Sequence, residues 1–301
     1  MSDATKAAVT AHYDGEVEVY TNMYDKAYLE RTGEYPSNYV RLGILSNRLA
    51  QFGAKRLFEV GMGEGTPLLT WSQMGIEVAG CDLSQPMVEA TRARLDRGGA
   101  KESILFVGDA EDAKTLAPAL RRGGYDAIIA NGVLPHIQKE SAFFENLKML
   151  LRPGGRIFVE FRNKLFSMFT LNRYTKEFIL DDLLSDVSAD VKKHVAAELD
   201  RRLATNLPPV RGHEDVDRPS YDQILAKFHN PFELEEAVTR HGFKTFGFHW
   251  YHYHAAPPLL EEGIGAGFRS ESVRLEHEAS WRGMFLCSAG IIEAELGPTG
   301  S

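Results

Sequence analysis

The run Leu57-Phe58-Glu59-Val60-Gly61-Met62-Gly63-Glu64-Gly65 constrains this chain more than any other stretch. It reads as a buried strand that enters a glycine turn and continues into a helix. Three glycines at alternate positions remove side chains where backbone must curve sharply and approach another group closely. Asp82 follows twenty-one residues after Gly61, at the end of a second apolar run that starts near Gly75. At that distance a second parallel strand returns beside the first and sets an acidic side chain to accept ribose hydroxyls. Strand, glycine turn, helix, strand and acid, in that order, form an arrangement for binding a nucleoside.

The glycine spacing separates two cofactor types. A dinucleotide turn is G-x-G-x-x-G, with a helix N-terminus aimed at a pyrophosphate. Here the pattern is Glu-x-Gly-x-Gly-x-Gly, with Glu59 two positions before the first glycine. A carboxylate there suits a cationic ligand and opposes a polyphosphate, which speaks against NAD. The run resembles the first motif of class I S-adenosylmethionine-dependent methyltransferases, and the resemblance continues downstream. Gly108-Asp109-Ala110-Glu111 resembles the adenine-contacting motif of that family. Tyr125 to Ile137 resembles its fourth strand and exit loop, and Leu151 to Val159 its turn into strand five. Four motifs in the right order cover roughly residues 55 to 162, far more specific than any one alone. Met62 stands where that turn commonly carries a small residue or Cys, with packing as the only evident consequence.

The resemblance implies an α/β fold: a Rossmann-like, mostly parallel seven-stranded sheet with helices on both faces. It implies S-adenosyl-L-methionine as cofactor. Gly61, Gly63 and Gly65 would line the turn, and Asp82, with Leu83 beside it, would bind ribose. Asp109 and Ala110 would contact adenine, and Asn131 would lie beneath the methionine part. Glu59 would hold backbone of the glycine turn or the donor's amino group. The competing reading of Asp109 is a turn cap, a position that favours Asp anyway.

Charge and composition narrow the partners. A net charge of −8 argues against a nucleic-acid substrate, because phosphate binding needs a basic face. No apolar run approaches the roughly eighteen residues that cross a bilayer, and the first residues open no signal peptide. Cys81 and Cys287 each sit in an apolar, strand-like run, so a disulfide framework is not expected and a reducing cytoplasm fits.

Five segments follow from the patterning. Residues 1–50 form a tyrosine-rich helical cap, 51–162 the cofactor-binding core, 163–230 a helical insertion, 231–296 the end of the core sheet, and 297–301 a flexible tail. Tyr20 and Tyr24 share a helix face at i, i+4 and are expected at the acceptor; the other cap tyrosines read as amphipathic anchors. The insertion falls at the carboxyl end of the sheet, where open α/β folds bind ligands, and reads as a substrate lid. A dimerisation element, giving a homodimer, is its competing reading.

Methyl transfer is an in-line displacement, so the protein must align donor and acceptor and remove a proton. His136, in the loop after strand four, is the candidate general base because imidazole titrates near neutral pH. A histidine that merely fixes the loop is the alternative. Arg162 and Arg173 are candidates for clamping an acceptor carboxylate or phosphate, against the alternative of surface ion pairs. The run His249-Trp250-Tyr251-His252-Tyr253-His254 places Trp250, His252 and His254 on one strand face and His249, Tyr251 and Tyr253 on the other. Two histidines supply half of a metal site at most, and without an evident third ligand no metal is expected; His252 is assigned instead to the acceptor wall.

These readings converge on a methyltransferase acting on an oxygen or nitrogen of a small molecule, with no nucleic-acid or membrane partner. Alternatives are carbon methylation of an activated small molecule and a non-catalytic scaffold that keeps the cofactor fold. A scaffold would carry decayed motifs, and here the acids and glycines are all present. An aminopropyl transferase shares the fold but wants a cluster of acids beside Asn131, which is absent.

Overall fold

The computed structural model describes residues 3–14, 23–24, 27–208, 226–276 and 280–297. Seven strands, β1 (Arg56–Val60), β2 (Glu77–Asp82), β3 (Ile104–Val107), β4 (Tyr125–Ala130), β5 (Leu151–Arg162), β6 (Phe243–Tyr253) and β7 (Cys287–Leu296), form one sheet in the order β3-β2-β1-β4-β5-β7-β6. Strands β1 to β5 pair in parallel. Strand β7 pairs antiparallel with both β5 and β6, so β6 runs in the same direction as β1 to β5. That single reversal brings the carboxyl ends of six strands, and the start of β7, to one edge.

The central strands are apolar without alternation because both faces are covered. Ala127, Ile128, Ile129 and Ala130 are all fully buried. Before β1 come helices α1 (Asp3–Asp14), α2 (Tyr28–Thr32) and α3 (Ser37–Phe52). Helix α3 sends Leu45 and Leu49 into a core layer with Leu57, Trp71, Leu95 and Tyr251. Helix α4 (Thr66–Gln73) follows the glycine turn, α5 (Gln85–Arg97) follows β2, and α6 (Ala117–Arg122) and α7 (Glu140–Leu150) flank β4. Helix α5 starts where Ser84 Oγ accepts from Met87 N at 3.2 Å, with Pro86 in the first turn, where its missing N–H costs nothing. On the opposite face α7 buries Phe143, Phe144, Leu147 and Leu150 against Phe58, Ile128 and Phe161. Burying side chains of this size contributes about 1.5–3 kcal/mol each.

The insertion is less regular than its periodicity suggests. Leu165 to Leu171 is expected as the buried face of one helix, but it divides into a 3-10 turn, Lys164–Phe166, and α8 (Ser167–Thr170). It ends where Leu171 adopts a positive φ of 53° and stands exposed. Helices α9 (Arg173–Glu177) and α10 (Ala189–Arg202) follow, and α10 buries no residue. The chain rejoins the sheet through α11 (Pro231–Arg240), capped by Asn230 Oδ1, which accepts from Phe232 N at 3.1 Å. The last strand is expected from Trp281, yet β7 begins only at Cys287. Gly283 packs so tightly under Trp250 that a Cβ there would lie 2.6 Å from Trp250 Cβ, and residues Gly283–Leu286 coil into a helical turn.

Candidate active site

A cavity of about 830 Å³ opens at the carboxyl edge of the sheet. That volume falls in the range of ligand sites and holds more than a nucleoside alone. Its floor is the glycine turn and the ends of β2 and β4. Its far wall comes from the end of β5, the insertion, the end of β6 and the start of β7.

The three glycines of the turn meet different demands. All three have positive φ, at 68°, 55° and 85°. At Gly61 a Cβ would meet Val133 Cγ2 at 2.4 Å, and at Gly65 it would meet Thr91 at 2.8 Å. Gly61 thus lets β1 pass under the β4 exit loop, and Gly65 lets α4 start against α5. At Gly63 nothing lies within 4 Å, so backbone there faces open cavity. Gly65 itself does not line the cavity.

Acidic groups surround that turn. Asp82, at the end of β2, accepts from Gly63 N at 2.9 Å through Oδ2 and from Ser84 N at 3.0 Å through Oδ1. Its carboxylate fixes the turn while the side chain lines the cavity, as Leu83 does. Glu59 is buried and accepts from Asn131 Nδ2 at 3.1 Å through Oε1. Its Oε2, and Asn131 Oδ1, are buried acceptor atoms without a hydrogen-bond partner. Burial pushes the Glu59 carboxyl well above the usual carboxylate range. Two orphaned acceptor atoms on residues that line the cavity, in an acidic surround, suit a cationic donor such as an ammonium.

Asp109 and Ala110, past β3, also line the cavity. Asp109 Oδ1 accepts from Glu111 N at 2.9 Å, the turn-cap geometry, and its Oδ2 pairs with Lys6 Nζ. Lys6 also pairs with Glu111 at 2.8 Å, so α1 is tied across this end of the cavity. Glu111 in turn accepts from Gln138 N at 3.0 Å, joining that turn to the loop that carries His136. His136 sits in a 3-10 turn, Leu134–His136, with its side chain on the cavity.

A charged cluster absent from the sequence reading occupies the far wall. Arg41 Nη1, from α3, donates to Glu160 Oε2 at 2.5 Å, and Gly132 N donates to the same oxygen at 2.6 Å. Tyr251 OH donates to Glu160 Oε1. Tyr24 lines the cavity beside this group and hydrogen-bonds Arg41, although it lies in a turn and not in a helix. Burial raises the Tyr24 and Tyr251 phenols above their ordinary range, so both stay protonated donors. Tyr20 lies outside the described residues. Asn38 is buried on the cavity wall with a sulfur, Met23 Sδ at 3.6 Å, as its acceptor.

Arg162 and His252 line the cavity; Arg173 does not. The Arg173 guanidinium lies 4.7 Å from the centroid of Tyr174 and donates to its hydroxyl, so Tyr174 is the residue presented to the cavity. Helix α9 starts at Arg173, and the rotation of one helical step separates the two. His252 has a positive φ of 62°, and its ring stacks on Tyr35 at 4.3 Å. It also stacks on His254 at 5.0 Å. Burial holds both imidazoles neutral, lowering His254 to about 4 and His252 well below its ordinary value. Among the described residues, no three His, Cys, Asp or Glu side chains converge to hold a metal.

Residues 58–159 match the family described as a methyltransferase domain, and the sheet order and edge cavity are those of a Rossmann-like fold. Over 142 residues the chain is 30% identical to a ubiquinone biosynthesis O-methyltransferase of Xanthomonas oryzae pv. oryzae (strain PXO99A), a match covering 47% of this chain and 57% of that protein. The protein of the same description from Xylella fastidiosa (strain 9a5c) is 29% identical over 143 residues, covering 48% and 56%. The chain thus spans little more than half the length of these curated relatives. In three dimensions it resembles magnesium protoporphyrin IX methyltransferase from Synechocystis PCC 6803, solved with bound SAH. That likeness has a TM-score of 0.54 at 15% identity, covers 98% of this chain and 100% of the other, and is one of fold.

Proposed function

We propose that this protein transfers the methyl group of S-adenosylmethionine to an oxygen or nitrogen of a small molecule held in the same cavity. The observation that carries this reading is the cavity at the glycine turn, where the Gly63 backbone is open and Glu59 Oε2 and Asn131 Oδ1 are buried without a hydrogen-bond partner. They fit the ammonium of the donor's methionine part. Asp82 takes the ribose, and Asp109 with Ala110 takes the adenine end, with Lys6 closing over it. Leu83 adds an apolar contact. When bound, the cofactor supplies an electrophilic methyl carbon on a sulfonium, whose leaving group needs no acid.

The chain's own task is to align the acceptor and take its proton. His136 lines the cavity on the loop after β4 and serves as that base. Residues 163–230 act as the acceptor lid in this reading, supported by Phe166, Thr170, Tyr174 and Phe228, which line the cavity. Tyr24, Arg162 and His252 belong to the same acceptor wall, supported by their place on the cavity. Oxygen is favoured by the O-methyltransferase relatives. Buried Cys81 and Cys287, both free thiols, suit a reducing cytoplasm. No helix among the described residues is long and apolar enough to cross a membrane.

The test is transfer of an isotopically labelled methyl group to a panel of phenols, amines and activated carbon acids, with the product bond located by mass spectrometry. The expected product carries the label on oxygen or nitrogen. Replacing His136 by Gln should lower kcat by about 10²-fold or more without changing donor affinity. Label on carbon, or an undiminished kcat in that variant, contradicts the reading.

A further inference from the structure

Taking the cavity as a methyl-acceptor site, we propose that the acceptor is an elongated molecule whose end remote from the methylated atom carries a hydroxyl, carbonyl or amide, held by His252. The inference deepens the reading above and rests on it. It starts from an unpaired ring nitrogen. His252 lines the cavity, and its Nε2 is buried without a hydrogen-bond partner. Buried polar atoms are ordinarily paired, so an orphan on a cavity wall marks a bond that a ligand completes. The ring is held by its faces instead. It stacks on Tyr35 at 4.3 Å and an interplanar angle of 11°, and on His254 at 5.0 Å and 23°. Tyr35 OH donates to Glu276 Oε1, which also accepts from Tyr253 N at 2.9 Å, and His254 Nδ1 lies 3.0 Å from His252 O. Both stacking partners are thus tied to this strand end, and the imidazole is oriented with its Nε2 left unused. The backbone there has a φ of 62°, uncommon for a residue other than glycine and found where surroundings impose it.

Position decides what that nitrogen serves. The sheet order places β6 three strands from β4 and four from β1. At about 4.8 Å per strand, the end of β6 stands roughly 14 Å from that of β4 and roughly 19 Å from that of β1. The turn after β1 and the loop after β4 carry the residues that this reading gives to the donor and to the base. One imidazole does not span that gap, so His252 meets the acceptor's far end and His136 keeps the proton transfer. Phe166, whose ring lies 4.5 Å from that of His254, lines the cavity with Tyr174 and Phe228, apolar surface for the body of the molecule. Burial sets the class of the end group. Burial first, then His254, Arg269 and Arg162, hold the His252 imidazole well below its ordinary pKa, so the ring stays neutral. A neutral imidazole offers one N–H and one lone pair, the match for an uncharged polar group. An ionised end group would be desolvated there as the imidazolium is.

The experiment is calorimetric titration of the whole chain saturated with S-adenosylhomocysteine. The probes are phenol, hydroquinone, 4-phenylphenol, 4,4′-dihydroxybiphenyl and 4′-hydroxybiphenyl-4-carboxylate. The expected result is that 4,4′-dihydroxybiphenyl binds about tenfold or more tighter than 4-phenylphenol and than the carboxylate. Hydroquinone, too short to reach both ends, gains nothing over phenol. In His252→Phe, which keeps a ring to stack on Tyr35, the preference over 4-phenylphenol disappears and S-adenosylhomocysteine affinity stays unchanged. His252→Asn, whose amide suits a positive φ and still hydrogen-bonds, keeps part of the preference. Equal binding of 4,4′-dihydroxybiphenyl and 4-phenylphenol, a preference that survives His252→Phe, or the same gain in the short pair overturns the inference. So does a carboxylate bound as tightly as the diol, loss of S-adenosylhomocysteine affinity in both variants, or binding of S-adenosylhomocysteine with no biphenyl taken up. Failure of the wild-type protein to bind S-adenosylhomocysteine at all would instead remove the methyltransferase reading beneath it.

Discussion

Gly61 and Gly63 stand two residues apart and tolerate substitution in opposite ways. Alanine at Gly61 would drive a Cβ to 2.4 Å from Val133 Cγ2 on top of a positive φ, whereas alanine at Gly63 meets nothing. Gly61→Ala should therefore lose about 2–4 kcal/mol, part of it recovered by Val133→Ala, while Gly63→Ala loses about 1–2 kcal/mol to strain alone. Its larger effect should be weaker donor binding; denaturant melts and calorimetry separate the two. A second residue-level prediction concerns pH. Burial raises the Glu276 carboxyl to about 7, and Tyr35 OH and Tyr253 N both donate to its Oε1. The folded state then holds this proton more tightly than the unfolded chain does. The contribution favours folding below the ordinary carboxyl pKa and is lost as pH rises through about 7. Glu276→Gln keeps an acceptor oxygen without the charge, so it should stabilise the fold at pH 8 by on the order of 1–3 kcal/mol, read as a higher Tm, and not at pH 5. An equal shift at both pH values would contradict this. The glycines were visible in the sequence as one motif, but their separate reasons lie in Val133 and Thr91, which are distant in the chain. Arg173 and Tyr174 show the same limit: spacing located the pair, and only the start of α9 decides which one faces the cavity.

The Arg41–Glu160–Tyr251 cluster joins α3, β5 and β6, and through Gly132 N it also pins the loop after β4. Asn131 precedes that glycine and holds Glu59. The cluster should thus act on the donor end of the cavity without lining it alone. Glu160→Gln strands a buried Arg41 charge and should cost about 3–5 kcal/mol, with a further loss of S-adenosylhomocysteine affinity. Adding Arg41→Met should return most of the stability and little of the affinity. If the double variant regains both, the loop does not depend on Glu160. None of this was legible beforehand, because a charged residue on a helix or at a strand end is ordinarily a solvated one. The five parallel strands were legible, since burial on both faces writes itself as continuous apolar runs. The insertion was legible as an interruption, but its division at Leu171 follows from tertiary packing that periodicity does not record.

Across the chain, one antiparallel strand does much of the positioning. Because β7 reverses between β5 and β6, the aromatic and histidine run at the end of β6 reaches the same edge as the glycine turn some 190 residues earlier. The motifs mark the glycine-turn half of the cavity, whereas the half proposed for the acceptor is assembled from segments without a shared pattern, which is why Phe166, Tyr174, Phe228 and Glu160 emerged only in three dimensions. The acidic donor half also explains why a cationic nucleoside is the better fit than a polyphosphate. Calorimetric titration with S-adenosylmethionine, S-adenosylhomocysteine and NAD, on the wild-type protein and on Asp82→Ala, tests that assignment most directly. Both sulfur nucleosides should bind at micromolar concentrations, lose that binding in the folded variant, and leave NAD without measurable heat. Binding of NAD, or of neither sulfur nucleoside, would contradict it.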